Sequence, residues 1–199
     1  MLKVICIING YLEENCYIIH NNKNALIVDP GSESERIINK IDELNLNVKG
    51  ILITHSHFDH VGALEEVKNK YKCIVVDNDN RVENIDEFKF KIIENYGHTM
   101  DSISYYFKKD NIMFTGDFVF YETIGNYDFD NEDEMFDSLK RPINVEFRNK
   151  NDVFICLAES DGEGVIPYKD RSVFEWIPSC NMGDRKIFVW LEDESGGAE

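Results

Sequence analysis

The sequence lacks any long uninterrupted apolar segment. A helix that crosses a bilayer needs about 20 consecutive apolar residues, and no stretch of the 199-residue chain approaches that length. The first ten residues, MLKVICIING, contain one lysine and a short apolar run, without the longer core and cleavage site of a signal peptide. This segment predicts a first β-strand, and we expect a cytoplasmic protein with no membrane partner.

A cysteine framework is also missing. The five cysteines are odd in number and widely spaced, and no two of them form a CxxC pair. These features argue against a disulfide scaffold and against a thiolate zinc site. We therefore expect reduced cysteines that behave as small core residues; they are Cys6, Cys16, Cys73, Cys156 and Cys180.

Positive charge is scarce. The chain has 21 Lys and Arg against 38 Asp and Glu, a formal net charge of −17. A field of that sign repels phosphate backbones and anionic membranes, so nucleic acid is not an expected partner. The sequence gives no indication of the oligomeric state.

Hydrophobic residues, in contrast, make up 43% of the chain, enough to bury a core in a single domain over residues 1–199. β-rich runs come first and then alternate with helical patterns, which predicts an α/β fold with mixed sheets and helices outside. Predicted strands cover 4–8, 15–19, 25–28, 48–53, 73–76, 88–93, 102–107, 112–115, 153–157 and 186–191. Predicted helices cover 35–44, with Ser32 or Ser34 as its cap, 61–71, and a segment from 131 or 133 through 139.

The densest group of chemically active side chains lies in Thr54–Ala63, THSHFDHVGA. Imidazole and carboxylate are good ligands for zinc, iron and manganese. Residues two apart in extended backbone point the same way, so His55 and His57 can share one metal while Asp59 and His60 point elsewhere. The alternative, a buried hydrogen-bonding cluster, would need a polar partner for each of these groups. The spacing therefore predicts two adjacent metal positions on one loop.

This HxHxDH segment resembles the signature of the metallo-β-lactamase superfamily, an αβ/βα sandwich with metals at one sheet edge. Three further motifs match in order over about residues 1–140. Asp29 in IVDPGS is similar to the first motif, where the Asp supports the metal loop. Gly97-His98-Thr99 resembles the third, which implies that His98 completes the first metal's triad with His55 and His57. Phe114-Thr115-Gly116-Asp117 resembles the fourth, which implies that Asp117 bridges both metals.

Other details resemble one branch of that superfamily. A bridging Asp117 with His60 after Asp59 is similar to glyoxalase II-like hydrolases, lactonases and RNA-processing nucleases. The segments ENCY (14–17) and FYETIGNYD (120–128) look like those of small bacterial glyoxalase II-like proteins, and the acidic charge favours this group over nucleases. Two positions depart from the pattern: Tyr96 stands where Pro is usual, and Asn126 where Arg is common.

The family's last motif is absent in its usual form. It places a histidine after a late strand to ligate the second metal, yet no histidine follows His98. Asp161-Gly162 stands about where His-Gly is expected. Asp161 could serve there as an oxygen ligand, which favours a harder metal such as manganese or iron, but Ser-Asp-Gly is also an ordinary turn and we favour the turn. A third alternative is that residues 141–199, which end in an acidic tail, do not descend from the family.

The resemblance implies a metal-dependent hydrolase that acts on an ester or thioester through a metal-activated hydroxide. The expected cofactor is one or two Zn²⁺ ions, with Fe or Mn as alternatives, and Asp59 is expected to orient the hydroxide as the catalytic residue. Two other functions stay open. One is a mononuclear iron oxidoreductase resembling persulfide dioxygenases, because loss of the last histidine weakens the second site more than the first. The other is a degenerate, non-catalytic metal-binding member.

Overall fold

A computed structural model describes residues 2–120 and 123–140 and, further along the chain, four strands at 154–156, 165–167, 173–176 and 187–190. Five strands form the first sheet in the order of the chain: β1 (Lys3–Asn9), β2 (Glu14–His20), β3 (Asn24–Val28), β4 (Asn47–Leu52) and β5 (Ile74–Val76). The first three are antiparallel to one another, and β3, β4 and β5 are parallel. The loops that follow β3 and β4 therefore leave the sheet at the same edge.

The helices include the connections that parallel strands require. They are α1 (Ser34–Glu43), α2 (Phe58–Val61), α3 (Leu64–Tyr71) and α4 (Glu132–Lys140). The first of these connects β3 to β4, and the next two connect β4 to β5. None of the described helices is long and apolar enough to cross a membrane.

A second sheet lies further along the chain. The remaining strands, in order, are β6 (Asn84–Ile85), β7 (Phe88–Lys89), β8 (Lys91–Glu94), β9 (Ile103–Phe107), β10 (Ile112–Phe114), β11 (Val119–Phe120), β12 (Thr123–Ile124), β13 (Phe154–Cys156), β14 (Val165–Pro167), β15 (Val173–Trp176) and β16 (Ile187–Trp190). The second sheet has the order β14-β13-β10-β9-β8, with β10 and β13 parallel. The others form two-stranded ribbons, β6 with β7, β11 with β12 and β15 with β16.

Strand β2 shows how the layers are built, because all seven of its residues are buried. Alternate side chains of a strand point to opposite faces of its sheet. Tyr17 and Ile19 belong to the core between the sheets, with Tyr105 and Phe114. Ile18, on the other face, packs in a second core under α1 and α3. The buried members of that second core are Ile7, Cys16, Ile18, Ala25, Ile27, Ile37, Ile41, Leu46, Val48, Ile51, Ile53, Ala63 and Val67.

This arrangement, mixed sheets with helices packed outside, confirms the predicted fold class. Tyr105 ties the layers together near the sheet edge, where its hydroxyl lies 2.7 Å from the carbonyl oxygen of Ile53 and 2.9 Å from that of Val76. Ile53 directly follows β4 and Val76 is the last residue of β5, so the second sheet is fastened close to the loop that begins at Thr54.

Three predicted elements differ in detail. Neither Ser32 nor Ser34 caps α1: Glu33 occupies the cap position in a left-handed conformation without a side-chain cap bond. The helix predicted over 61–71 is split into α2 and α3, because the Ala63 N–H donates to the Pro30 carbonyl, 2.9 Å away, instead of continuing a helix. The strand predicted over 88–93 is interrupted at Phe90, whose N–H donates to the carbonyl of Glu83 at 3.0 Å.

Candidate metal centre

The first sheet contributes a braced loop. Asp29 directly follows β3, and Thr54 lies just beyond β4 at the same edge. The buried Asp29 carboxylate accepts from the Thr54 N–H at 2.8 Å and from the Thr54 hydroxyl at 2.7 Å. Its side chain thus fixes the start of the loop, as the sequence predicted for a supporting role.

The same contacts orient His55. Because the Thr54 hydroxyl donates to Asp29, its oxygen is left to accept from His55 Nδ1–H, 3.2 Å away. The lone pair of His55 is therefore on Nε2, a buried atom without a hydrogen-bond partner among the described residues. Burial and the neighbouring His60 lower the pKa of His55 to about 2, so this imidazole is neutral and able to bind a cation.

His60 is held from the other side. It lies in α2, and its Nδ1 is 3.0 Å from Asp29 Oδ2. Burial alone would lower the pKa of His60, but the Asp29 and Asp117 carboxylates raise it well above its usual value. With Nδ1–H donating to Asp29, Nε2 is the ring nitrogen that points towards Asp117, and a cation bound there would take the place of its proton.

The second sheet supplies the remaining two residues. His98 follows β8, and Asp117 lies in a 3-10 turn directly after β10. His98 Nε2 is 2.9 Å from His57 Nδ1 and 3.3 Å from Asp117 Oδ2. Four residues form one cluster, in which the ligand atoms all lie within 4.8 Å of one another. They are His55, His57, His98 and Asp117.

Asp117 faces two groups of side chains at once. Its Oδ2 is the oxygen near His98, whereas its Oδ1 is 3.0 Å from His60 Nε2. Neither Oδ1 nor His60 Nε2 makes a hydrogen bond within the described residues, although both are buried. Burial raises the pKa of Asp117, but the surrounding histidines, His60 above all, hold it below the usual value. An anionic carboxylate between several histidine rings fits a divalent cation.

The predicted residues thus fall into two adjoining sets. Asp59 belongs with His60, whose Nε2 lies 3.8 Å from Asp59 Oδ2, and its side chain is 16% exposed. The structure places these two residues beside the first set rather than within it. Asp161 lies outside the described residues. His20, the one histidine outside both sets, is buried at the end of β2, where its Nδ1 accepts from the Asn22 N–H.

Sequence reasoning missed the groups that orient His98. Its Nδ1 hydrogen-bonds the main-chain carbonyl of Asn126, so Nε2 carries the lone pair. The hairpin of β11 and β12 brings this carbonyl back to the site. Helix α4 packs on the hairpin, and the Ser138 hydroxyl donates to the carbonyl of Tyr96 at 2.7 Å, two residues before His98. Every residue has a main-chain carbonyl, so the sequence does not indicate which one accepts this hydrogen bond.

Gly125 permits this return, and replacing it tests the geometry. A Cβ on Gly125 would lie 1.6 Å from the carbonyl oxygen of Asp117 and 3.3 Å from His98 Nδ1. We expect Gly125→Ala to displace Asp117 or the Asn126 carbonyl and to weaken zinc binding by about 10- to 100-fold. A competition titration with a chromophoric chelator measures this. Asn126→Ala keeps the carbonyl and is the matched control; an equal loss in both variants would contradict the argument.

Comparison with known proteins identifies the family of the chain. The sequence profile described as the metallo-beta-lactamase superfamily matches residues 10–81 and 70–150. A hydroxyacylglutathione hydrolase of Haemophilus influenzae is 29% identical over 195 residues, covering 80% of this chain and 91% of that protein. Another, of Pelagibacter ubique, is 33% identical over 140 residues, covering 62% of this chain and 58% of its own. Among solved structures, ETHE1 from Myxococcus xanthus matches with a TM-score of 0.69 at 23% identity, over 83% of this chain and 79% of that one.

Proposed function

The chain belongs to the metallo-beta-lactamase superfamily, and from that premise we propose that it is a metal-dependent hydrolase of small thioesters or esters. The single observation that carries the proposal is the orientation of Asp117, whose two oxygens face different histidines, His98 and His60. A carboxylate placed in this way suits two adjacent cations. The hydroxyacylglutathione hydrolases that resemble the chain supply the thioester class as an analogy.

The proposed ligand sets follow the two groups of side chains. His55, His57 and His98 would hold one ion, Asp59 and His60 would contribute to the second, and Asp117 would be a ligand common to both. Zinc suits a site rich in imidazole nitrogen, while the carboxylates are also compatible with iron or manganese. Bound divalent metal would supply hydroxide at neutral pH by lowering the pKa of water, and would polarise the substrate carbonyl.

The residues themselves would position the attacking water and the acyl group. Asp59 is partly exposed beside His60, so its carboxylate can accept a hydrogen bond from the attacking water and hold it in line with the carbonyl carbon. Hydrolysis then forms the new carbon–oxygen bond and breaks the carbon–sulfur or carbon–oxygen bond to the leaving group, which departs as a thiolate or alkoxide and takes up a proton. His57 is exposed and borders the open side of the site. Phe58 beside it and Met100 near His98, 66% and 54% exposed, offer apolar contact to an acyl group.

Metal reconstitution tests the proposal. The full chain is stripped with a chelator, reloaded with one or two equivalents of zinc, manganese or iron, and assayed for thiol release from S-lactoylglutathione and from acetyl-N-acetylcysteamine. We expect turnover that disappears on stripping and returns on reloading, with more activity at two equivalents than at one.

Two outcomes would overturn the proposal. One iron per chain, together with oxygen uptake on a glutathione persulfide and no thioester cleavage, would replace the hydrolase by an oxidoreductase. Absence of all turnover in protein that is folded and fully loaded would replace it by a non-catalytic metal-binding role.

A further inference from the structure

Two buried polar side chains beside the candidate metal centre have no partners in the part of the chain that the structure describes. Asn9 and Glu14 are opposite each other at the end of the β1–β2 ladder, and each is only 1% exposed. Neither side-chain atom of Asn9 and neither carboxyl oxygen of Glu14 has a hydrogen-bond partner among the described residues. Burying such groups unpaired costs several kcal/mol, so this pair needs an explanation that the ligand sets do not provide.

The surroundings of Glu14 point to the peptide of Asp59. A Cβ placed on Gly31 would lie 2.4 Å from Glu14 Oε2 and 1.5 Å from the carbonyl oxygen of Asp59. These two oxygens therefore both lie close to the point beside Gly31 where a side chain would begin. The Pro30-Gly31 segment is in turn packed on the end of α2, since Gly62 approaches the Gly31 carbonyl and Ala63 donates to that of Pro30.

We propose that Glu14 is a positioning residue for Asp59 and His60, acting through a hydrogen bond to the Asp59 carbonyl. A hydrogen bond between two acceptor oxygens needs a hydrogen between them, which would come from the carboxyl group itself or from a water shared with Asn9. The Asp59 carbonyl belongs to the peptide that joins Asp59 to His60, so fixing it fixes both side chains. The inference rests on the proposed function for its consequence, a well-formed second metal position.

Glu14 and Asp29 have complementary tasks in this arrangement. Asp29 holds His60 by its ring nitrogen and holds Thr54 by its main chain and hydroxyl. Glu14 holds the main-chain carbonyl of Asp59, in the peptide that leads into His60. Loss of Glu14 should therefore spare His55, His57 and His98 and affect only the second set.

Two substitutions separate this role from a structural one. Glu14→Gln keeps the shape and can donate from its amide to the Asp59 carbonyl, whereas Glu14→Leu fills the space without a donor. Glu13→Gln, exposed on the same turn, and Glu65→Leu, exposed on α3, are the matched controls. Melting curves verify that each variant is folded.

The first measurement is metal binding, by competition titration and metal analysis. We expect Glu14→Leu to bind the first equivalent of zinc as the parent does and the second at least about tenfold more weakly, within the range typical of outer-shell losses. Glu14→Gln should restore the second. Equal binding of both equivalents by Glu14→Leu would overturn the proposal, and equal loss in both variants would mean that the charge itself binds metal.

The second measurement needs no metal and no turnover. In the metal-free protein, ¹⁵N-resolved imidazole signals report the ring of each histidine. We expect Glu14→Leu to shift the signals of His60 and leave those of His98 in place, with Glu14→Gln close to the parent. An unshifted His60 would overturn the positioning role even if the protein proved to be a hydrolase. A shifted His60 in a protein without hydrolase activity would sink only the proposed function.

Discussion

Replacing Asp117 by alanine is expected to remove thioester turnover almost completely. Its two oxygens face His98 and His60, so one side chain serves both halves of the centre. Without it, His60 Nε2 loses its charged neighbour and the two proposed cations would repel each other unscreened. The loss of a preorganised charge at the reacting centre costs on the order of 100- to 1,000-fold in kcat, and loss of the second metal should add to this. The readouts are kcat/KM of reloaded protein and metal content per chain.

Two further variants show whether the loss of turnover comes from the position of the Asp117 charge or only from the change in net charge. Asp117→Asn keeps the shape but removes the negative charge, so it should retain the first metal more readily than the second. Asp42→Ala, on the exposed side of α1, changes the net charge equally and should leave turnover within about twofold. Two metals per chain in Asp117→Ala with near-parental turnover would contradict the bridging role.

Asp29 should produce the largest effect on stability. Its buried carboxylate accepts from the Thr54 N–H and hydroxyl and is paired with His60. Asp29→Ala leaves these donors unpaired, and breaking a buried network of this kind costs about 3–5 kcal/mol of unfolding free energy. Urea titration of the metal-free protein measures the loss, which should appear as a lower midpoint with an unchanged slope.

Asp29→Asn separates stability from metal binding. Its remaining oxygen can still accept from the Thr54 N–H, but the new amide donates towards the Thr54 hydroxyl and His60 Nδ1. Both neighbouring imidazoles are then pushed to the other tautomer, with hydrogen on Nε2 where a metal should bind. We expect most of the stability to be retained and metal affinity to fall by about 10- to 100-fold. An Asn variant with parental affinity would show that Asp29 does not set these tautomers.

The sequence was sufficient to predict those residues of the candidate centre whose side chains would themselves bind metal. HxHxDH is compact in sequence because one loop after one strand presents it, so periodicity and ligand type were sufficient to place it. The later motifs were recognised by their order, and the structure brings His98 and Asp117 to that loop from the second sheet. Their assignment as metal ligands stays a prediction that the reconstitution and Asp117 experiments test.

The groups that orient these metal-binding side chains could not be predicted from the sequence. Asn126 acts through its carbonyl, which every residue has, and its side chain suggested only a departure from the usual Arg. Glu14 was noticed as part of a family-like segment, but its burial beside the Asp59 peptide depends on the pairing of β1 with β2 and on the closeness of Gly31. The split of the helix at Ala63 likewise comes from one contact to Pro30, between residues 33 positions apart. Local propensity does not report such distant contacts.

Because the four clustered residues come from both sheets, the supply of metal should affect the stability of the protein as well as its activity. An ion held by His55 and His57 on one side and by His98 and Asp117 on the other acts as a removable cross-link between the two layers. By mass action, free metal at 100 times its dissociation constant adds about 2.7 kcal/mol to the stability of the folded chain. Loss of the metal would thus weaken the contact between the two sheets. The same loss that removes activity would also make the protein more susceptible to proteolysis.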